Sequence, residues 1–210
     1  MESKEIMHIG LAFIILTIII SFSNLLKNNF AYLSEAAIYS AIILIVALVS
    51  KKLVASMLDS DVEHEIWGMS RFGYKPHHHI DGAIPAGAIF PLILSLFSLG
   101  LFKLPAILSY ETKALKHRAA KRFGLNSFTE MTDWHNGLVG AGGILGILIL
   151  GIIAYFTGYE TLFKISAYYA FANMIPFSKL DGTQIFFGSK VLYSILGVIV
   201  LIFLAYAFII

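Results

Sequence analysis

The chain of 210 residues is 58% hydrophobic and 13% charged, with a net charge of +2 and a mean hydropathy of +0.81. A soluble globular domain carries about 25% charged residues, so roughly half of the charge that a water-facing surface needs is missing. That excludes a soluble domain, a disordered chain and a nucleic-acid-binding module, and the absence of cysteine removes disulfides, thiolate zinc sites and thiol catalysis.

A bilayer core about 30 Å thick requires about 20 residues of apolar helix, and six apolar runs reach or approach that length. The first, 6–26, follows Glu2, Lys4 and Glu5 rather than a basic leader, and it reads as a retained span. The second covers 36–54 and ends near the Lys51-Lys52 pair. The third, 82–108, is broken by Pro85, Pro91 and Pro105. The fourth, 137–157, is rich in glycine, and the fifth, 162–177, is short, with Asn173 and Pro176 near its end. The last is 191–210. The expectation is an all-α polytopic membrane protein of five to six transmembrane helices, one integral membrane domain over 1–210, whose first partner is the lipid bilayer.

Two polar connections interrupt these runs. Residues 55–81 hold Asp59, Asp61, Glu63, His64, Glu65 and the triplet His77, His78 and His79. Residues 109–135 hold Lys113, Lys116, Arg118, Lys121 and Arg122, a spacing that predicts a helix with a cationic side along the membrane surface. With six crossings the basic residues divide nine to six, which puts 109–135 in the cytoplasm and both termini outside.

In the fourth run Gly140, Gly143 and Gly146 recur at three-residue spacing and place small residues on one helical face. Such a face lets a second helix approach closely, and packing there replaces the hydrophobic drive that lipid cannot supply. The segment NMIPFSKLDG, 173–182, then sets a proline and an asparagine at the end of an apolar run and an aspartate just beyond. Proline removes a backbone donor, so the helix breaks, and an aspartate at such a break is expected to be a ligand, a proton site, an ion-pair partner or a simple cap of the next helix.

NMIPFSKLDG resembles the N-x-x-P-x-x-x-L-D-G signature of the site-2 protease family, intramembrane zinc metalloproteases. The resemblance implies a family core with a broken helix at the signature, the third zinc ligand at Asp181, and Asn173, Pro176, Leu180 and Gly182 as its frame. The glycine-rich run is similar to the family's span before the signature, and LFKLPAILSYETKAL resembles the strand-like stretch that archaeal members place before that span. The implied setting is a prokaryotic plasma membrane.

The family's H-E-x-x-H is absent. In that motif two histidines on one helical face grip the metal and the glutamate activates its water. In one register the motif falls on Ala47, Leu48, Val49, Ser50 and Lys51; in the other, His64 and Glu65 start it but Gly68 stands in place of the second histidine. The first register is preferred because it lies inside an apolar run, and it leaves no catalytic residue. Lys51 near Asp181 would then form an ion pair in place of the metal. Three functions follow as expectations. The first is a non-catalytic homologue that binds transmembrane helices or partner proteins and needs no cofactor. The second is an altered zinc protease that draws on His64, His77, His78 and His79 with Glu65 or Glu63 as base. The third is a small ion or proton transporter built on Asp181 and histidines. Asp181 could join His64 or the triplet only if the third or the fifth run is re-entrant.

Overall fold

The computed structural model describes residues 3–71, 79–115 and 131–210. Uninterrupted apolar sequence forms the long helices α1 (Ser3–Leu26), α2 (Tyr32–Met57), α4 (Asp133–Phe156) and α7 (Lys190–Ile209), the four that are long and apolar enough to cross a bilayer. Polar side chains within α1 bond back along their own helix: the Thr17 hydroxyl donates to the Phe13 carbonyl and that of Ser21 to the Thr17 carbonyl. Those two hydroxyls are thereby kept from facing hydrocarbon alone.

The chain is not all-α. Residues Ser60–Ile66 form β1 and Leu108–Ala114 form β4, paired antiparallel with His64 opposite Tyr110 and Glu63 opposite Glu111. The signal lay in the period: Ser60, Val62 and His64 are buried while Asp61, Glu63 and Glu65 face outward. Alternation of that kind makes a half-buried strand even where the composition is too charged for a membrane helix. A second small ladder joins β2 (Met69–Arg71) to β3 (His79–Ile84).

The third apolar run does not cross. Pro85 caps α3 (Ala86–Phe97), which packs along α1 until Gly100 meets Ser23 in the last turns of that helix. Gly100 has a φ of +78°, a conformation that glycine adopts without cost, and a β-carbon there would lie 2.8 Å from the Ser23 nitrogen. The chain then returns without regular structure to Ala106, whose carbonyl accepts from the Trp67 indole at 2.8 Å. Leu104 precedes Pro105, which biases it toward extended backbone. Residues 86–107 are therefore a re-entrant hairpin that leaves from and comes back to the Trp67 level.

The fifth run forms α5 (Glu160–Met174), 15 residues and too short to span by itself. It stops at Ile175, whose ψ of 127° is the extended backbone imposed by the following Pro176. After a short loop the chain resumes as α6 (Asp181–Gly188), antiparallel to α4, with Gly188 beside Asp133 and Asp181 beside Gly140.

With α3 re-entrant, the ends are no longer those of six crossings. Glu5, the end of α2, both strands of the first ladder, the start of α4 and Lys179 all meet at one end of the bundle. The end of α7 lies at the other, where the Tyr206 hydroxyl donates to that of Tyr155 at 2.7 Å. The two termini are thus at opposite ends rather than the same one.

Helices α2 and α4 pack closely through glycine. Gly142, Gly143 and Gly146 face Val54, the aliphatic stem of Lys51 and Ser50 of α2, while Gly140 faces the Tyr110 hydroxyl and α6. A β-carbon on Gly143 would lie 2.6 Å from Lys51 Cε. Gly143→Leu is expected to cost on the order of 3 kcal/mol by overpacking. A thermal unfolding midpoint in detergent equal to that of the parent would refute it.

Candidate functional site

The helix break carries Asp181 at the first position of α6, buried between α2, α4 and β4. Lys51 reaches it from the last third of α2: its Nζ lies 2.8 Å from Oδ1 and 2.8 Å from Oδ2, with both side chains only 3% exposed. The ammonium also sits 4.7 Å from the centre of the Tyr110 ring, a cation–π contact that replaces lost hydration. Tyr110 is held in turn by its hydroxyl, which donates to the Asn136 carbonyl at 2.6 Å, and by Gln184 Nε2, which donates to its carbonyl at 3.0 Å.

The signature residues frame this pair. Asn173 is buried and donates from Nδ2 to the Tyr169 carbonyl at 2.9 Å, while its Oδ1 is left without a partner among the described residues. Pro176 ends α5, buried Leu180 caps α6 in extended conformation, and Gly182 packs on the Met174 carbonyl so closely that a β-carbon would collide with it. The aspartate therefore enters its helix where the end of α5 and the start of α6 touch.

A second buried cluster lies one strand away. His64 Nδ1 is 3.1 Å from Glu5 Oε1 and the Lys52 ammonium is 3.3 Å from the same oxygen. His64 Nε2 has no partner among the described residues. Burial, and next the nearby Lys51 charge, push the imidazole down to about 4 against the opposing pull of Glu5. Glu65, the neighbour of His64, points to the other face of β1 and meets Lys179 at 3.3 Å; Lys179 also meets Glu111 at 2.8 Å. A metal-binding His64 and a base at Glu65 are thus separated by the pleat itself. His77 and His78 lie outside the described residues, as do Lys116, Arg118, Lys121 and Arg122, and His79 opens β3.

Among the described residues no three histidine, aspartate or glutamate side chains converge on a point where a metal ion would sit. In the register that sets Ala47 and Lys51 at the histidine positions, Ala47 is buried in the core and Lys51 is the residue on Asp181. Three participants were not foreseen: Glu5, Lys52 and Tyr110. The signal for Tyr110 was alternation in β4; for Glu5 it was an acidic residue at the head of an apolar run.

The class is a predominantly helical membrane protein with four helices long and apolar enough to cross a bilayer and a small sheet at one end. The chain matches no protein-family model, no curated protein and no solved structure.

The ion pair makes a sharp expectation. Removing one partner leaves the other charge buried and alone, at a cost of about 3–5 kcal/mol, whereas removing both is close to neutral. Lys51→Met and Asp181→Leu should each lower stability strongly, and the double variant should recover most of the loss in a detergent unfolding series. Additive losses in the double variant would refute the coupling.

His64 gives a pH dependence with a defined sign. Its folded-state value lies below the ordinary 6.5, so below that pH the unfolded chain takes up a proton that the folded chain refuses. Stability is retained above about 6.5 and is lost progressively as the pH falls toward 4. The thermal midpoint should drop between pH 7.5 and pH 5, and His64→Gln should flatten that drop. An unchanged slope in the variant would contradict it.

Proposed function

We propose that this chain is a non-hydrolytic membrane protein on a site-2-protease-like core that binds transmembrane helices of other proteins without cutting them. The observation that carries the reading is the Lys51–Asp181 pair at 2.8 Å. The resemblance assigns the position of Asp181 to a zinc ligand and that of Lys51 to another; here the second is a cation. Zinc-assisted hydrolysis needs three protein ligands, an open coordination position and a carboxylate to take a proton from bound water. Lys51 occupies both acceptor oxygens of Asp181 and repels a dication, and Ala47 supplies no donor atom.

The distribution of basic residues orients this reading. Lys27 and Lys164 flank the end away from the pair, Lys51 and Lys103 lie at depth, and every other lysine and arginine belongs to the pair-bearing end or to the connections that start and finish there. By the positive-inside tendency that end faces the cytoplasm. The re-entrant third run also supports the reading, because it places the loop after α2 and the loop before Asp181 at one end, as a site shared between them requires.

The test is a cleavage assay in detergent with a generic transmembrane-helix substrate, with added zinc and with chelator, alongside metal analysis of the purified chain. The expected result is no cutting and no stoichiometric zinc. Zinc-dependent cutting that disappears with chelator and in Asp181→Ala would replace this reading with the altered-protease one.

A further inference from the structure

Among the described residues every lysine at depth in the bundle has a counter-charge, with one exception. Lys51 has Asp181 and Lys52 has Glu5. Lys103 is half-buried on the returning limb of the hairpin 86–107, and among the described residues it has neither an ion pair nor a hydrogen bond. Its depth follows from its neighbours. Gly100, three residues before it, touches Ser23 near the end of α1, and Ile107, four residues after it, accepts from the Trp67 nitrogen. Trp67 follows Ile66, whose nitrogen points at His8 Nδ1 in the second turn of α1. Ser23 and His8 are fifteen residues apart on a helix, about 22 Å at 1.5 Å per residue. The limb runs back between those two levels, bending at Leu101 and Phe102 and again where the Ala106 nitrogen donates to the Leu104 carbonyl, and Lys103 falls about half-way along it, within the apolar span.

The backbone there is equally unprovided. The Phe102 nitrogen donates to the Ser98 hydroxyl at 3.2 Å, whereas the nitrogens of Lys103 and Leu104 have no acceptor among the described residues. Irregular backbone at membrane depth persists only where protein or a wet cavity covers it. The limb is instead bare on its outer side: Leu101 is 83% exposed and Phe102 69%. Beside it runs an apolar groove of about 310 Å³ between the hairpin and the α5–α6 break, lined by Phe90, Leu94, Leu104, Ile175 and Phe177.

We propose that the hairpin 86–107 is the docking surface for a transmembrane helix of a partner protein that carries an aspartate or glutamate near the middle of its span, and that this carboxylate pairs with Lys103 and its adjoining backbone donors. The inference rests on the helix-binding reading above and names its partner's chemistry. Acyl chains leave the N–H groups unpaired, and a lipid phosphate sits at the surface, half a bundle away. A second copy offers no match either. Among the described residues its outward-facing carboxylates Glu35 and Glu160 lie at one end, and Asp61, Glu63, Glu65, Glu111 and Asp133 at the other. The mid-depth carboxylate, Asp181, is already held by Lys51. A lone ionisable residue inside the membrane is by default a functional group in want of its partner.

The experiment reconstitutes the full chain, labelled with a fluorescent donor, into phosphatidylcholine vesicles with acceptor-labelled leucine-rich transmembrane peptides that bear a central aspartate or leucine. The aspartate peptide should associate about tenfold more tightly than the leucine peptide, the scale of one interhelical polar contact. Lys103→Met should erase the difference and Lys103→Arg should keep it, with matching circular dichroism and unfolding midpoints as evidence that both variants fold. Equal association of both peptides that Lys103→Met leaves unchanged overturns the lysine assignment while helix binding stands; association of neither overturns both. Displacement of the aspartate peptide by phosphatidylglycerol, or self-association of the chain that requires Lys103, also overturns the proposal, in favour of a lipid headgroup or a second copy.

Discussion

A buried ion pair is the constraint on which the rest of the architecture turns. Two charges removed from water are stable only if the geometry is good and the remaining valences are filled. Lys51 and Asp181 meet that condition because three chain segments approach more closely than ordinary side chains permit. Gly143 admits the lysine stem, Gly140 admits the Tyr110 hydroxyl, and Gly182 lets the start of α6 rest on the end of α5. The glycine-rich character of α4 is thus as much a means of seating a charged side chain as of bringing two helices together. The break at Ile175-Pro176 has the same purpose seen from the other partner. A continuous helix from Glu160 onward would carry Asp181 past the level of Lys51, whereas the break restarts the helix with the carboxylate in its first turn, where the backbone amides favour negative charge.

Much of this was legible in the residues. Long apolar runs without proline became the four long helices, whereas of the proline-bearing runs the third turns back and the fifth stops at Ile175, short of a full span. The pairing of Lys51 with Asp181 followed from one motif alignment and elementary electrostatics, although 130 positions separate them. What stayed hidden was hidden for physical reasons. The sequence 60–66 is charged at every second position, and a reading tuned to hydrophobicity passes over a strand whose signal is alternation. The direction of the third run was illegible because helix length is read locally. Whether a 12-residue helix crosses or returns depends on Gly100 and its contact with Ser23, far away in the chain. That one element decides whether Glu5 and the β1–β4 ladder share an end of the bundle, as they do, since each crossing inverts everything before or after it.

The polar groups that find partners within the bundle do so in two ways. Thr17, Ser21 and Ser40 bond to the carbonyl one turn back and need nothing from the fold. Glu5, Lys52, His64, Lys51 and Asp181 depend on partners from other elements, and they tie α1, α2, β1 and α6 together at one end. That end is accordingly specified by charge as well as by packing. Like-charge contacts there would be costly in a medium of low dielectric, so misregistered arrangements of these elements are disfavoured by several interactions at once.

The same electrostatics explain why a lysine suits this position on α2. A zinc centre balances its carboxylate with a dication and spreads the remaining charge over its ligands. Without metal, a neutral residue in place of Lys51 would leave Asp181 to be desolvated alone. A cationic side chain long enough to reach both oxygens from the same helical face restores neutrality within one interaction. Arginine would bring a planar fork too wide to lie along Gly143, whereas the slender lysine stem fits with its carbons against the missing side chain. The pair is also hard to exchange for a metal site. Lys51→His alone would exchange a matched pair for one imidazole beside one carboxylate, with Ala47 still bearing no donor, so two simultaneous changes are needed before a third ligand exists. Each single step away from this pair leaves a buried charge without its partner, so the pair resists replacement one residue at a time.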